Sequence, residues 1–278
     1  MNRTIKTIAV LVCILLHSGC GEDSSLISEL EMTPGLCFLH VHLTPEAETA
    51  LLPPEAGSMF PVWLCDSLLT RGEMSVSLLG INLTDFSPQL LFLTRHMDLD
   101  ELVDLASAGF DCRAEEAQDF FRLTDDRGSI IGAAASRSGW SGLITGSGAD
   151  RSIQRWMELP MEESMAADTN LAAIAETESQ ITVLISQNSI SFLSVIPTGG
   201  MTRQQVQLLN GLKDIIRVLR PEALKIGLVI QQDERLQVDL ELELVRDHGE
   251  VSTLSVSFTD TVLKTEQITQ ALHRLIEL

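Results

Sequence analysis

Residues 236–244 read LQVDLELEL. Leu236, Val238, Leu240, Leu242 and Leu244 alternate strictly with Gln237, Asp239, Glu241 and Glu243. Successive side chains of a strand point to opposite faces, so this pattern writes one apolar face and one wet face. A sheet that is dry on only one side is characteristically antiparallel. The neighbours agree. Leu224, Ile226, Leu228 and Ile230 alternate in the same way upstream, Asp233 marks a turn, and Val251 to Phe258 reads as a third strand.

Working outward, the same rules predict the remaining elements. Strands are expected at Leu36–Leu43, Ser75–Leu83, Gln89–Thr94, Asp119–Leu123, Ile130–Ala135, Gly142–Thr145, Ile181–Ser186 and Ser191–Ile196. Helices are expected at Met59–Leu69, after Asp98, at Arg151–Met157, after Thr202 and around Ile268–Ile276. Asp98 with Glu101 three residues on forms a capping-box pattern, and Gly109 is the expected stop. Asp125 to Gly128 suits a tight turn.

The order of elements is similar in residues 35–160 and 170–278. The expected fold is therefore α+β, built of two similar halves, each an antiparallel sheet with helices packed on one face.

The chain has 278 residues, 45% of them hydrophobic, which is enough apolar material for a large core. Aromatic residues make up 4%, and there is no tyrosine. Base-stacking platforms need several aromatic faces, so this composition disfavours them. Removing the first nineteen residues leaves 17 basic and 39 acidic side chains, a net charge of −22. A surface this negative repels phosphate backbones and anionic lipid, so nucleic acid is not an expected partner.

The amino terminus reads MNRTIKTIAVLVCILLHSGC. Arg3 and Lys6 precede an unbroken apolar run from Ile8 to Leu16. Spanning a bilayer takes about 20 apolar residues, so this run suits the core of a secretory signal peptide. Ser18, Gly19 and Cys20 then resemble the end of the bacterial lipobox, where signal peptidase II cuts before a cysteine that becomes acylated. His17 stands where that family usually has leucine, with Leu16 one step back. The resemblance implies a signal peptide over residues 1–19, lipid attachment at Cys20 and anchoring in the bacterial cell envelope. Gly21 in place of an aspartate favours the outer membrane over the inner. Residues 20–34 are then lipidated cysteine and tether; the fourteen residues from Gly21 to Pro34 could reach about 45–50 Å if extended, or less if Ser25–Met32 forms a short helix. Within the body, Leu143–Gly148 and Ser164–Asp168 loosely resemble short motifs of a family of uncharacterised exported bacterial proteins, a likeness that implies no catalytic residues.

The search for chemistry yields little. His40 and His42 project from one face of a strand, a spacing that can supply two metal ligands. The ordinary alternative is a half-exposed strand face carrying two histidines, and no third ligand is singled out. Gly146-Ser147-Gly148 lacks the third glycine of a dinucleotide loop, with Arg151 in its place, and suits a tight turn into a helix. There is no G-x-S-x-G, and Gly139-Trp140-Ser141-Gly142 falls short of it by one position. Cys37, Cys65 and Cys112 allow one disulfide in three pairings, but apolar content makes a disulfide framework unnecessary.

No cofactor and no catalytic residue is expected. The leading expectation is a non-enzymatic, membrane-anchored lipoprotein that binds a protein partner or organises the envelope. A carrier of an apolar small molecule or lipid is the alternative, with its cavity between the strand ending at Leu244 and a helix over Arg203–Leu219. An enzyme of unrecognised type, with a cleft around His40, His42 and His96, comes third.

Overall fold

The computed structural model describes residues 26–45, 62–82, 88–175, 179–187, 189–190, 210, 213, 217, 220–232, 236–246 and 249–259. The expected strand at Ser191–Ile196 and the helix around Ile268–Ile276 lie outside these residues, as does most of the helix after Thr202.

The elements run in order: helix α1 (Ile27–Leu30), strand β1 (Leu39–Leu43), α2 (Val62–Leu69), β2 (Met74–Ile81), β3 (Pro88–Thr94), α3 (Leu99–Phe110), β4 (Arg113–Ala117), β5 (Phe120–Thr124), β6 (Ile130–Arg137), β7 (Trp140–Thr145), α4 (Ala149–Met157), α5 (Thr169–Ala173), β8 (Ile181–Ser186), β9 (Ala223–Gln232), β10 (Leu236–Arg246) and β11 (Glu250–Thr259). The fold class is α+β. All eleven strands join one antiparallel sheet in the order β11-β10-β9-β8-β1-β2-β3-β7-β6-β5-β4. The stretches read as two halves share this sheet, because β1 pairs with β8 on one side and β2 on the other.

Helices cover both faces of the sheet, not one as the sequence suggested. On one face, Leu64 and Leu68 of α2 and Leu102, Val103 and Ala106 of α3 pack on Val41, Val76, Phe92, Val183, Ile226 and Leu242. On the other face, Ile153 and Trp156 of α4 cover Leu91, Leu93, Ala133 and Ile144. Beside them, Leu26, Leu30 and Leu171 cover Cys37, Leu184, Ala223 and Val245. The middle of the sheet is thus covered on both faces, which is why residues of either parity are buried along β1, β2 and β3.

The deciding stretch behaves as its pattern dictates. β10 pairs with β9 and β11 throughout, Leu242 and Leu244 are buried, and Glu241 and Glu243 face the less covered side. Asp98 caps α3 by accepting a 2.9 Å hydrogen bond from Glu101 N–H. Gly109 does not end that helix; the left-handed residue is Asp111, at φ 50°. Gly109 instead leaves room for Trp63, since a Cβ there would lie 2.2 Å from the indole ring. Strand β4 escaped the sequence reading. Its residues, RAEEA, have low strand propensity and four of the five are exposed, so no apolar alternation announces it.

Candidate functional site

The site is built where α1 meets the middle of the sheet. Leu26, Leu30 and Met32 are buried, so the chain between Leu26 and Pro34 is part of the body. Backbone bonds hold it there. Trp156 Nε1 donates to Met32 O at 2.7 Å. Met165 N donates to Thr33 O at 2.8 Å, and Gly35 N to Glu163 O at 2.7 Å. The second part of the stretch from Gly21 to Pro34 is folded into the body, where the short helix expected within Ser25–Met32 is α1.

Glu29 shares the buried side of α1 and is only 3% exposed. It points at β1, where His40 and His42 project together because they are two residues apart. His40 Nε2 donates to Glu29 Oε1 at 2.7 Å, and His42 Nδ1 donates to Glu29 Oε2 at 2.9 Å. One carboxylate thus bridges two imidazoles. Ser77, opposite His40 in the β1–β2 register, places Oγ 2.9 Å from His40 Nδ1. Thr33 Oγ1 donates to Glu29 O at 3.0 Å and closes the turn over the cluster.

Electrostatics follow from this sealed geometry. Burial alone would push the Glu29 carboxyl up, but the charge and hydrogen bonds of His42 and His40 hold it far below the usual carboxylate range. For His42, burial alone would pull the imidazolium down. The Glu29 carboxylate, with the more distant charge of Glu73, overrides this and holds His42 above its ordinary value. The cluster is an ion pair out of water, kept there by charge-assisted hydrogen bonds.

The half-exposed strand face expected for the two histidines is not found: His40 is 0% and His42 1% exposed. Nor do they face outward as paired ligands. Both His40 nitrogens and His42 Nδ1 are engaged by Glu29 and Ser77. Among the described residues, no group of three or more His, Cys, Asp and Glu is arranged to hold a metal ion. His96 is not gathered with them. It is exposed on the turn after β3, its N–H bonded to Thr94 Oγ1 and its ring over Gly72.

The order Ser77–His40–Glu29 has the composition of a hydrolytic triad, but Ser77 and His40 have no exposed surface and Ser77 sits within a strand, away from any sharp turn. What the arrangement does chemically is bind α1 to the sheet. One neighbour is imperfect: Ser75 Oγ, on the strand beside His42, is buried without a hydrogen-bond partner among the described residues.

Sequence reasoning found the two histidines and missed Glu29. The signal was present, since Leu26, Glu29, Leu30 and Thr33 fall at helical spacing and put one acid on an otherwise buried stripe. The remaining candidates resolve simply. Cys37, Cys65 and Cys112 are free thiols, and burial pushes Cys37 up to about 12. Gly146 and Gly148 have φ of 98° and 77° and make the turn into α4, with Ser147 O accepting from Gln89 Nε2. Cys20 lies outside the described residues. Among those that are described, no helix is long and apolar enough to cross a membrane.

No family model matches the chain, and neither a curated protein nor a solved structure is significantly similar to it.

Proposed function

We propose that this chain is an exported bacterial lipoprotein, acylated at Cys20, with a non-enzymatic binding or envelope-organising role and with the outer membrane as its favoured site. The observation that carries the reading is the Glu29–His40–His42 cluster. It fastens the segment that follows the lipobox-like cysteine directly to the centre of the sheet. From Cys20 to Leu26 the chain spans at most about 20–22 Å. A body tied this closely works at the membrane surface and does not range away from it. The lipid, not the acidic body, supplies the attachment.

The test is intact-mass analysis of membrane fractions from cells expressing the wild type or Cys20→Ala. The expected result is an acylated chain beginning at Cys20 in the first case and, in the second, an unacylated chain that keeps its leader. A wild-type product that begins at Met1, or that carries no lipid at Cys20, would overturn the reading.

One observation favours the second reading, a carrier of an apolar molecule. A half-open groove of about 780 Å³ runs beside the docked segment, lined by Leu36, Leu79, Trp156 and Leu159 together with Arg155, Glu158 and Glu163. The register shifts between Leu78 and Gly80, which leaves Leu79 without a partner in the β2–β3 ladder. The cavity expected beside Arg203–Leu219 lies outside the described residues. Titration with a fluorescent fatty acid separates the two readings: saturable binding weakened by Leu79→Glu supports the carrier, and no binding removes it. We also read residues 35–160 and 170–278 as related α+β units; the support is their similar order of strands and helices.

A further inference from the structure

The sheet has two ends, and they are built differently. At one end, β4 is five residues long and carries Arg113, Glu115 and Glu116. Short, charged edge strands are the usual protection against pairing with another chain. At the other end, β11 is ten residues long, and from Val251 to Thr259 it contains no charged residue. Among the described residues no strand pairs with its outer side. Val251 is 47% exposed, and Thr253, Ser255 and Ser257 are exposed on the same face. This edge lacks the features that guard its opposite.

We propose that the outer edge of β11 docks a second copy of the same chain, the two β11 strands pairing antiparallel about a two-fold axis. A strand that meets its own copy in this way is complementary to itself without further design. With the axis at Ser255, Thr253 lies opposite Ser257 of the other copy and Val251 opposite Thr259. Hydroxyl pairs of this kind support an antiparallel ladder, and between Val251 and Thr259 there is no charged residue to oppose another. The sheet then continues from one body into the next.

Charge favours this edge. Residues 20–278 carry a net charge of −22, which repels a second copy in general, and the repulsion is least along a strand without charged residues. Repulsion between the rest of the two bodies is screened by salt, so the dimer tightens as ionic strength rises. A single strand pair buries less than the roughly 1,600 Å² of a standard interface, so the association is weak and concentration-dependent.

The experiment is sedimentation velocity of the full chain carrying Cys20→Ala, which removes lipid-driven association, from roughly 1 to 100 μM and at roughly 50 and 500 mM salt. The expected result is a monomer–dimer equilibrium several-fold tighter at high salt. Two edge variants are compared with it. Ser255→Pro removes one backbone donor from β11. The pair Thr253→Lys with Ser257→Lys sets like charges opposite each other across the axis and leaves Glu243 and Asp239 of the same chain as partners. Each should weaken the dimer about tenfold or more while the melting temperature of the Lys pair stays near wild type. Hydrogen exchange adds an independent readout, in which β11 amides gain protection only at concentrations where the dimer forms. A monomer throughout, with β11 protected at all concentrations by the chain's own residues 260–278, would overturn the proposal. So would a dimer indifferent to the edge variants or one loosened by salt.

Discussion

Glu29 Oε1 and His40 Nε2 lie 2.7 Å apart with neither residue more than 3% exposed, so the first described helix is fastened to the first strand by a charged contact shut away from water. Breaking such a pair from one side costs more than making it gains, because the charge left behind has no solvent to turn to. Glu29→Gln should therefore destabilise the protein by about 3–5 kcal/mol. Urea unfolding checks this. Replacing all three members with apolar residues of similar size, Glu29→Met with His40→Leu and His42→Leu, should recover most of the loss; a triple variant as unstable as Glu29→Gln would show that the cluster does more than neutralise itself.

The same cluster gives the stability a pH signature. His42 is held above its ordinary value of 6.5, so its contribution is fully present below pH 6.5 and is lost as pH rises through the raised value. Glu29 is held below its ordinary value of 4.5, so its contribution is present above pH 4.5 and is lost only as pH falls through a much lower value. The stability gap between wild type and His42→Gln should therefore be widest between pH 4.5 and 6.5 and should shrink on the alkaline side. Denaturation midpoints of both proteins across that range measure it, and a gap that widened at alkaline pH would contradict the assignment.

Ser75 predicts the opposite sign. Its Oγ is buried with no hydrogen-bond partner, a situation that costs roughly 1–3 kcal/mol in a dry site. Ser75→Ala removes the unsatisfied group and almost no volume. It should leave the protein as stable as wild type or stabilise it by up to about 1 kcal/mol, read from the thermal midpoint. A clear loss of stability would mean that the hydroxyl has a partner, such as a bound water.

Gly109→Ala should be costly in spite of alanine's better helix propensity. The added Cβ would fall 2.2 Å from the Trp63 ring, which itself packs edge-on against Phe110 at 5.1 Å. Overpacking of this kind costs about 1–3 kcal/mol, more than the propensity gain of about 1 kcal/mol. Pairing it with Trp63→Leu should relieve most of the damage, which a double-mutant cycle would show.

The antiparallel strands were legible because period-two alternation survives wherever one face is wet, as in β10. It fails where both faces are covered: His40 and His42 read as a half-exposed face because nothing local reveals that α1 lies on top of them. Glu29 was hidden for a related reason. A lone acid in LISELEM looks solvated until the partners that neutralise it, eleven and thirteen residues away, are brought beneath it. β4 was missed because its strand state comes from pairing with β5 and not from its own residues. Local pattern carries propensity and face; it does not carry which face acquires a roof.

The place of β1 in the sheet has a consequence for how the molecule is made. Val41 lies in register with Val76 on one side and with Val183 on the other. As the ribosome or an export channel releases the chain from its amino end, this strand emerges early and must wait for β8 before its second side is closed. Ladders between such distant segments form slowly and leave sticky intermediates. Expressing 26–160 and 161–278 as separate pieces should yield two insoluble fragments, and mixing them during refolding should restore solubility by letting β8 find the vacant side of β1.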